Sequence, residues 1–167
     1  MLANNEIGTL APIAEIGEIC SKRGVLLHTD ATQAVGKIPV DVISMSIDLM
    51  SFSSHKMYGP KGGGALYVRS KIPKLRVMPQ IDGGGHERGL RSGTVNVPAL
   101  VGFGEAASIA NLEMHEEQSR TAHLRDKLVN GILTAVEDSS LNGHPSIRLP
   151  NNAKLTFKFA DADRLMM

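Results

Sequence analysis

The sequence has very little cysteine: Cys20 is the one cysteine among its 167 residues. A single thiol excludes an intramolecular disulfide and any metal site built from several cysteines. Cys20 shares a helical stripe with Ile13 and Ile16. We therefore expect this thiol to pack in the core rather than to act as a nucleophile.

An excess of charge of either sign is also lacking, since 18 Lys and Arg face 17 Asp and Glu, for a net charge of +1. This balance gives no electrostatic reason to expect nucleic acid or an anionic membrane as a partner. No apolar run approaches the roughly 20 residues of a spanning helix, and the first residues lack the basic and apolar regions of a signal peptide. The histidines show no spacing typical of a metal site. We expect a cytoplasmic protein without a metal, a membrane or nucleic acid.

Apolar strands alternate with helical segments in the first part of the chain. Pro12 in a first turn and Gly24 just past the end predict a helix over residues 12–23. Short apolar strands are predicted at residues 25–30, 49–52 and 65–69. This alternation predicts α/β layering with a largely parallel sheet.

A glycine-rich loop at residues 83–94 separates this part from a long helical segment, predicted from near Pro98 to about Val136, with one possible interruption. Leu124, Leu128, Ile132 and Val136 recur every four residues, which predicts one buried face. Residues 142–145 predict a turn, residues 155–159 alternate as in a half-buried strand, and residues 165–167 suggest the start of another helix. Because no strand precedes the polar cluster at residues 4–6 and the last element is incomplete, we expect the chain to be an internal piece of a longer protein.

Polar side chains follow two of the predicted strands. Asp30 ends the first strand, and Ser-Ser-His-Lys (residues 53–56) follows the second. Ligands of open α/β sheets bind beyond the carboxyl ends of the strands. Taken by themselves, these residues are explained equally well by a structural ion pair between Asp30 and Lys56. Lys61 beside three glycines faintly resembles a phosphate loop, but no Gly-Lys-Ser/Thr follows.

Four motifs in order give the pattern a more specific meaning. They are Asn-Asn-Glu-Ile-Gly (residues 4–8), His-Thr-Asp-Ala-Thr-Gln (28–33), Ser-Ser-His-Lys-Met-Tyr-Gly-Pro-Lys-Gly (53–62) and Gly-Gly-Gly-His-Glu-Arg-Gly-Leu-Arg-Ser-Gly-Thr (83–94). Together they resemble the cysteine desulfurases, in the class V aminotransferase group of fold-type I enzymes that use pyridoxal 5'-phosphate (PLP). The resemblance covers nearly the whole chain.

The resemblance implies a fold class and a domain division. The fold would be a three-layer α/β/α PLP-dependent transferase large domain, here incomplete, with the start of a smaller α+β domain. Residues 1–110 would form the central part of the large domain. Residues 111–167 would form a connecting helix and the truncated start of the small domain.

The resemblance also implies roles for residues around the cofactor ring. Lys56 would be the catalytic residue, carrying PLP as a Schiff base and later moving the α-proton of the substrate. Asp30 would keep the pyridinium nitrogen protonated, so that the ring remains an electron sink. Gln33 would donate to the phenolate oxygen of PLP. Asn5 would lie near that oxygen and the substrate carboxylate.

The remaining cofactor-binding positions concern the phosphate. Ser53 and His55 would hold the phosphate of the PLP bound to Lys56. Thr94 would contact the phosphate of the neighbouring subunit's PLP, which implies a homodimer. Ser54 departs mildly from the glycine or alanine of many relatives.

The implied reaction converts L-cysteine to L-alanine and transfers sulfur to an enzyme cysteine, for an acceptor or scaffold protein of iron–sulfur cluster assembly or thiolation. The family carries that cysteine on a downstream loop with no counterpart here, so the chain alone is expected to be inactive. Two alternatives remain open. One is another class V enzyme, such as a selenocysteine lyase or an aminotransferase, and the other is a non-catalytic dimerisation or scaffold fragment.

Overall fold

The computed structural model describes residues 1–70 and 75–161. Its helices and strands, in chain order, are α1 (Ile13–Lys22), β1 (His28–Asp30), β2 (Leu49–Ser53), β3 (Gly64–Val68), α2 (Val97–Ala135), β4 (Ser139–Leu141) and β5 (Leu155–Phe157). Two short 3₁₀ turns lie at Ser54–Met57 and Glu87–Gly89.

Helix α1 lies within the predicted range. Pro12 precedes its first residue, and Gly24 follows with a φ of +66°, a conformation that glycine adopts without steric cost. Ile13 is buried, while Ile16 and Cys20 are half-buried and pack against the larger apolar cluster. The predicted packing of Cys20 in the core is confirmed.

The first sheet contains β1, β2 and β3 in that order. β1 and β2 are parallel, with Asp30 opposite Ser51, whereas β2 and β3 are antiparallel, with Ser53 opposite Gly64. The prediction of a largely parallel sheet is therefore wrong for β3. A parallel return requires a crossover of about a dozen residues or more, and the 3₁₀ turn and glycine turn between β2 and β3 reverse the chain directly.

Strand β1 is shorter than predicted. Pairing begins only at His28, and Val25 and Leu26 are 55% and 51% exposed. The Leu27 carbonyl accepts the amides of Asp48 and Leu49, where β2 begins. No described strand lies beside residues 25 and 26, so the predicted buried strand is wrong for those residues.

Two apolar clusters hold the elements together. The larger consists of buried residues from the N-terminal segment, α1, the positions that flank β1, the turns before β2, β2 itself and the segment before β5: Leu2, Ala3, Ile13, Leu27, Ala31, Ala34, Ile38, Ile47, Met50 and Leu149. The smaller consists of Met57, Phe103 and Ala106, and Phe52 contacts both clusters. The rings of Phe52 and Phe103 meet edge to face with centroids 5.8 Å apart. The first part of α2 is thus packed against the end of β2.

Helix α2 runs from Val97 to Ala135 as one continuous element. The interruption that the sequence pattern allowed does not occur. Asn96 caps its start by accepting the amide of Ala99 at 3.3 Å, and Pro98 occupies its first turn. The helix passes through the predicted domain boundary at residues 110 and 111, which remains a prediction. No helix among the described residues is long and apolar enough to cross a membrane.

The predicted buried face of α2 is wrong for three of its four residues. Leu124, Leu128 and Val136 are 50%, 56% and 41% exposed, whereas Ile132 is half-buried and Val129, outside the predicted face, is buried. A spacing of four residues drifts steadily around a helix of 3.6 residues per turn. The described segments that pack on this half of α2 contact it on another side, where Arg125 donates to the Leu149 carbonyl at 2.9 Å.

The last described strands form a separate antiparallel pair. β4 pairs with β5, with Leu141 opposite Leu155. The predicted strand at residues 155–159 is confirmed for its first three residues, but Phe159 lies beyond it and is 82% exposed. The helix suggested at residues 165–167 lies outside the described residues.

Candidate functional site

Two parallel strands end at one edge of the first sheet and place polar side chains there. Asp30 is the last residue of β1, and Ser53 is the last residue of β2. Just past the end of β1, the amide of Ala31 donates to the Ser51 carbonyl at 2.9 Å. We call this edge, with residues 30–33 and 53–56, the rim. The structure thus brings Asp30 and the Ser-Ser-His-Lys segment to the same edge, as predicted for strand-end residues.

The Asp30 carboxylate is exposed and already bonded to its own loop. Its Oδ1 accepts the amide of Thr32 at 2.8 Å. Hydrogen bonds from the Thr32 side chain and backbone lower the pKa of Asp30, and the positive charges of the N-terminus and His28 add to this, while partial burial opposes it. The rim therefore carries a carboxylate that stays ionised throughout the neutral range.

Ser53 and His55 form a pair of polar groups at the end of β2, the strand that neighbours β1. The Ser53 hydroxyl lies 2.7 Å from Nδ1 of His55 and donates to the Gly63 carbonyl at 3.3 Å. The amide of Ser54 donates to the same carbonyl at 3.0 Å, so the glycine turn before β3 holds this segment. An exposed imidazole beside a hydroxyl can supply the donors that a phosphate needs.

Lys56 lies in the 3₁₀ turn, between the buried residues Ser54 and Met57. Its side chain is half-buried, and its amine has no hydrogen bond or ion pair with any described residue. The structural alternative, an ion pair between Asp30 and Lys56, does not occur among these residues. An amine without such a partner is available for covalent chemistry.

Ser54, between Ser53 and His55, is fully buried. Its hydroxyl has no hydrogen-bond partner among the described residues. The hydroxyl occupies the space into which a Cβ of Gly59 would project. Ser54 therefore packs against the backbone at Gly59, within the turn that carries Lys56.

Sequence reasoning missed Lys37, a second lysine near the rim. Its amine donates to Oε1 of Gln33 at 3.3 Å. Burial lowers the pKa of Lys37, and the positive charge of Lys56 lowers it further. With the amide oxygen of Gln33 engaged, its NH₂ group is left to donate elsewhere. The four-residue spacing of Gln33 and Lys37 on a helical turn was the available signal.

Asn5 lies in a tight turn near the start of the chain. The side chain of Asn4 accepts the amides of Glu6 and Ile7, and Asn5 itself is exposed. The same segment is joined to the rim because the amide of Leu2 donates to the Asp30 carbonyl at 2.7 Å. No described hydrogen bond joins Asn5 to the Ser-Ser-His-Lys segment.

Thr94 ends the glycine-rich loop and is not brought to the rim by any described hydrogen bond. The loop is held by its own residues: Ser92 Oγ accepts the Gly85 amide at 3.1 Å, and Nδ1 of His86 accepts the Gly93 amide at 3.3 Å. Every residue from 83 to 94 is exposed except Ser92. A role for Thr94 at this chain's own rim gains no support from these contacts.

The side chains at the rim fit PLP by their chemistry. A free amine suits its aldehyde, an ionised carboxylate suits its ring nitrogen, and hydroxyl and imidazole groups suit its phosphate. Gln33 offers an amide donor for the phenolate oxygen. Among residues 1–70 and 75–161, no cluster of three metal-binding side chains is present.

Comparison with known proteins gives a consistent result. Residues 1–166 match the family described as aminotransferase class-V. The chain is 51% identical over all 167 residues to "Cysteine desulfurase IscS" of Anaeromyxobacter sp. (strain K), and 53% identical to the protein of the same name from Histophilus somni (strain 2336). Both alignments cover 100% of this chain and 41% of the relative. The chain therefore spans about two fifths of the length of the curated relatives it matches.

Solved structures are similar in fold as well. A NifS-like protein from Rickettsia africae ESF-5 superposes with a TM-score of 0.89 at 33% identity, over 98% of this chain and 44% of that one. A second structure, described as a NifS-like protein, gives a TM-score of 0.87 at 42% identity, over 94% of this chain and 42% of that one. These similarities confirm the α/β fold class of a fold-type I PLP enzyme.

Proposed function

Since the chain belongs to the class V aminotransferase family, whose cysteine desulfurase members depend on PLP, we propose that it is the central part of a cysteine desulfurase. The observation that carries this proposal is the amine of Lys56, which has no hydrogen bond or ion pair with a described residue, at the same rim as the ionised carboxylate of Asp30. The substrate would be L-cysteine. The comparisons do not favour a selenocysteine lyase, an aminotransferase of small molecules or a scaffold fragment.

Each rim residue has a role that its chemistry allows. PLP, when bound, supplies a ring that withdraws electrons from the α-carbon of an amino acid. Lys56 would hold the cofactor covalently, and its amine would move the α-proton of the substrate. Asp30 would keep the ring nitrogen protonated. Ser53 and His55 would hold the phosphate.

Gln33 and Lys37 would act together at the phenolate oxygen. Lys37 donates to the amide oxygen of Gln33 at 3.3 Å, so the Gln33 NH₂ group is the one that would donate to the cofactor. Asn5 would contribute from the N-terminal turn, near the phenolate oxygen and the substrate carboxylate.

The protein would act as a homodimer in the cytoplasm. The exposed glycine-rich loop supports this proposal, because Thr94 is exposed and no described hydrogen bond joins it to its own rim. A sulfur-acceptor or scaffold protein, of iron–sulfur cluster assembly or thiolation, would take the sulfur.

The 167 residues alone would not complete the reaction. Sulfur leaves cysteine only when a thiolate accepts it: the C–S bond breaks, an S–S bond forms, and alanine is released. The one thiol, Cys20, is half-buried on α1 and packs against the larger apolar cluster. We therefore expect no alanine above a PLP-only control when this chain is supplied with L-cysteine and a reductant.

The proposal is tested by locating the cofactor. The protein is incubated with PLP, reduced with borohydride and mapped by peptide mass spectrometry. We expect the phosphopyridoxyl group on Lys56 and its loss in Lys56→Ala, with Lys61→Ala as the matched control, since Lys61 is exposed in the adjacent turn. Labelling of Lys37 or Lys61 with Lys56 unmodified would contradict the assignment.

A further inference from the structure

The turn that carries Asn5, residues 4–9, is anchored by a buried arginine far along the chain. Arg148 is only 5% exposed. Its guanidinium donates to the Ile7 carbonyl at 3.0 Å and also to the carbonyls of Asn142, His144 and Asn152 at 3.2–3.3 Å. These four carbonyls lie in two segments, so one planar group joins the Asn5 turn to residues 142–152.

Neighbouring groups reinforce this connection. The side-chain amide of Asn152 donates to the carbonyls of Asn5 and Glu6 at 3.4 and 3.3 Å. The amide of Leu149 donates to the Gly8 carbonyl at 2.8 Å. The backbone of Asn5 is therefore bonded directly to the segment that Arg148 organises.

The other side of the turn is attached to the rim. Leu2 donates to the Asp30 carbonyl at 2.7 Å, and the Ala11 amide donates to the Leu2 carbonyl at 2.8 Å. The segment that contains Asn5 is thus bonded both to Asp30, through Leu2, and to Arg148, through Ile7. The Asn5 side chain is exposed, so these bonds rather than burial hold its backbone.

Joining two segments through a buried arginine has a cost in hydration free energy. A buried guanidinium loses its hydration, and burial, together with the charge of Arg125, lowers the pKa of Arg148. No salt bridge joins it to a carboxylate among the described residues. The planar guanidinium donates hydrogen bonds in several fixed directions, which an apolar side chain cannot do. The arrangement of the four carbonyls therefore explains why an arginine occupies position 148.

We propose that Arg148 is a positioning residue that orients Asn5 toward the cofactor rim, an inference that rests on the proposed PLP site. Arg148 would act through the carbonyls of Ile7 and Asn152 rather than on the cofactor itself, and residues 142–152 would thereby set the geometry of the rim.

The test compares Arg148→Met and Arg148→Lys with Arg120→Met. Arg120 is the matched control, because it is an exposed guanidinium bonded to Glu117 on α2 and has no contact with the turn. Hydrogen exchange of residues 4–10 is measured in the protein without cofactor. The affinity for PLP and the visible absorbance band of the bound cofactor are then measured for each variant.

We expect Arg148→Met to increase exchange in the turn, to shift the band and to weaken PLP binding about tenfold, the change in Kd that about 1.4 kcal/mol produces. Arg148→Lys should give smaller changes in all three measurements, because the lysine ammonium can still donate to some of the four carbonyls. Arg120→Met leaves all three measurements unchanged. Combined with Asn5→Ala, Arg148→Met adds no further loss, because both changes remove the same interaction.

Three results would overturn the inference. One is an additive loss in the double variant, which marks a general loss of structure. Another is unchanged PLP binding and absorbance despite faster exchange. The third is an Asn5→Ala variant with unchanged PLP affinity and absorbance in which Lys56 still receives the phosphopyridoxyl label. That result would refute the inference and leave the proposed function in place. If Arg148→Met does not fold, Asn152→Ala takes its place, because it removes only the side-chain donor to Asn5 and Glu6 and must give the same band shift.

Discussion

At the scale of single residues, Asp30 illustrates how a strand end sets the charge of a site. The loop that follows β1 turns back so that Thr32 donates to the carboxylate. Because the pKa of Asp30 is lower in the folded protein, folding favours the ionised form of this carboxyl. The resulting stability is fully present above the ordinary pKa of an aspartate and is lost as the pH falls through the lowered value.

We expect Thr32→Val to raise the pKa of Asp30 toward its ordinary value, because the side-chain hydrogen bond is the largest cause of the shift. Carboxyl ¹³C NMR titration measures this directly. Acid unfolding should then begin at a higher pH than in the parent protein. Thr121→Val, which removes a hydroxyl bonded within α2, serves as control, and an unchanged Asp30 titration in Thr32→Val would contradict the prediction.

Replacing Asp30 itself tests its chemical role. Asp30→Asn should slow exchange of the α-proton of a bound amino acid with solvent by a factor on the order of 10² or more, while PLP occupancy falls far less. An amide cannot keep the ring nitrogen protonated, so the electron sink is lost. Deuterium incorporation by NMR and cofactor absorbance give the two quantities. Asp41→Asn is the control, and unchanged exchange at full occupancy would show that Asp30 is structural.

At the scale of elements, Asp48 joins the three strands that build the rim. Its side chain is buried and accepts the amide of Leu27 at 3.0 Å just before β1. Beyond β3, the guanidinium of Arg69 lies 3.6 Å from Oδ1, and the Arg69 amide donates to the Asp48 carbonyl. One residue at the start of β2 thus connects the start of β1 with the end of β3.

We expect Asp48→Ala to lower the free energy of unfolding by about 2–3 kcal/mol, because it leaves a buried amide and a half-buried guanidinium without this partner. The loss should be smaller than for a fully buried pair, since the Arg69 side chain is 28% exposed. Urea unfolding measures it. Asp82→Ala, at an exposed position just before the glycine-rich loop, should change stability by no more than about 0.5 kcal/mol. Equal effects of the two substitutions would refute the role of Asp48.

At the scale of the whole molecule, large apolar side chains remain on the surface of α2. Leu112 is 80%, Val101 67% and Leu128 56% exposed. Apolar side chains that water surrounds in a single chain favour association with a partner that buries them.

We expect the isolated chain to self-associate, and the double substitution Leu112→Gln and Leu128→Gln to reduce this association. Stability should change by less than about 1 kcal/mol, because neither side chain is buried. Sedimentation velocity and thermal unfolding measure the two effects. Phe103→Ala is the contrasting variant: it empties the contact with Phe52 and should cost about 3–5 kcal/mol. A monomeric parent chain that unfolds cooperatively would contradict the prediction.

The sequence alone determined the local features of this protein. Pro12 and Gly24 delimit α1 because they act through the backbone conformation of their own positions. The residues of the rim follow strand ends, so their gathering at one edge was predictable from the order of elements, and the four motifs led to the family. Their individual roles remain predictions, as do the domain boundary and the dimer.

Only the tertiary structure decided which side of each element is covered. The spacing of Leu124 and Leu128 indicates a helix but not its partner, so their exposure could not be read from periodicity. Likewise, Arg148 and Ile7 are separated by 141 positions in the chain, and no local pattern links a guanidinium to a carbonyl at that distance. Burial and long-range hydrogen bonds depend on how elements pack against one another, and a pattern within one element carries no information about its neighbours.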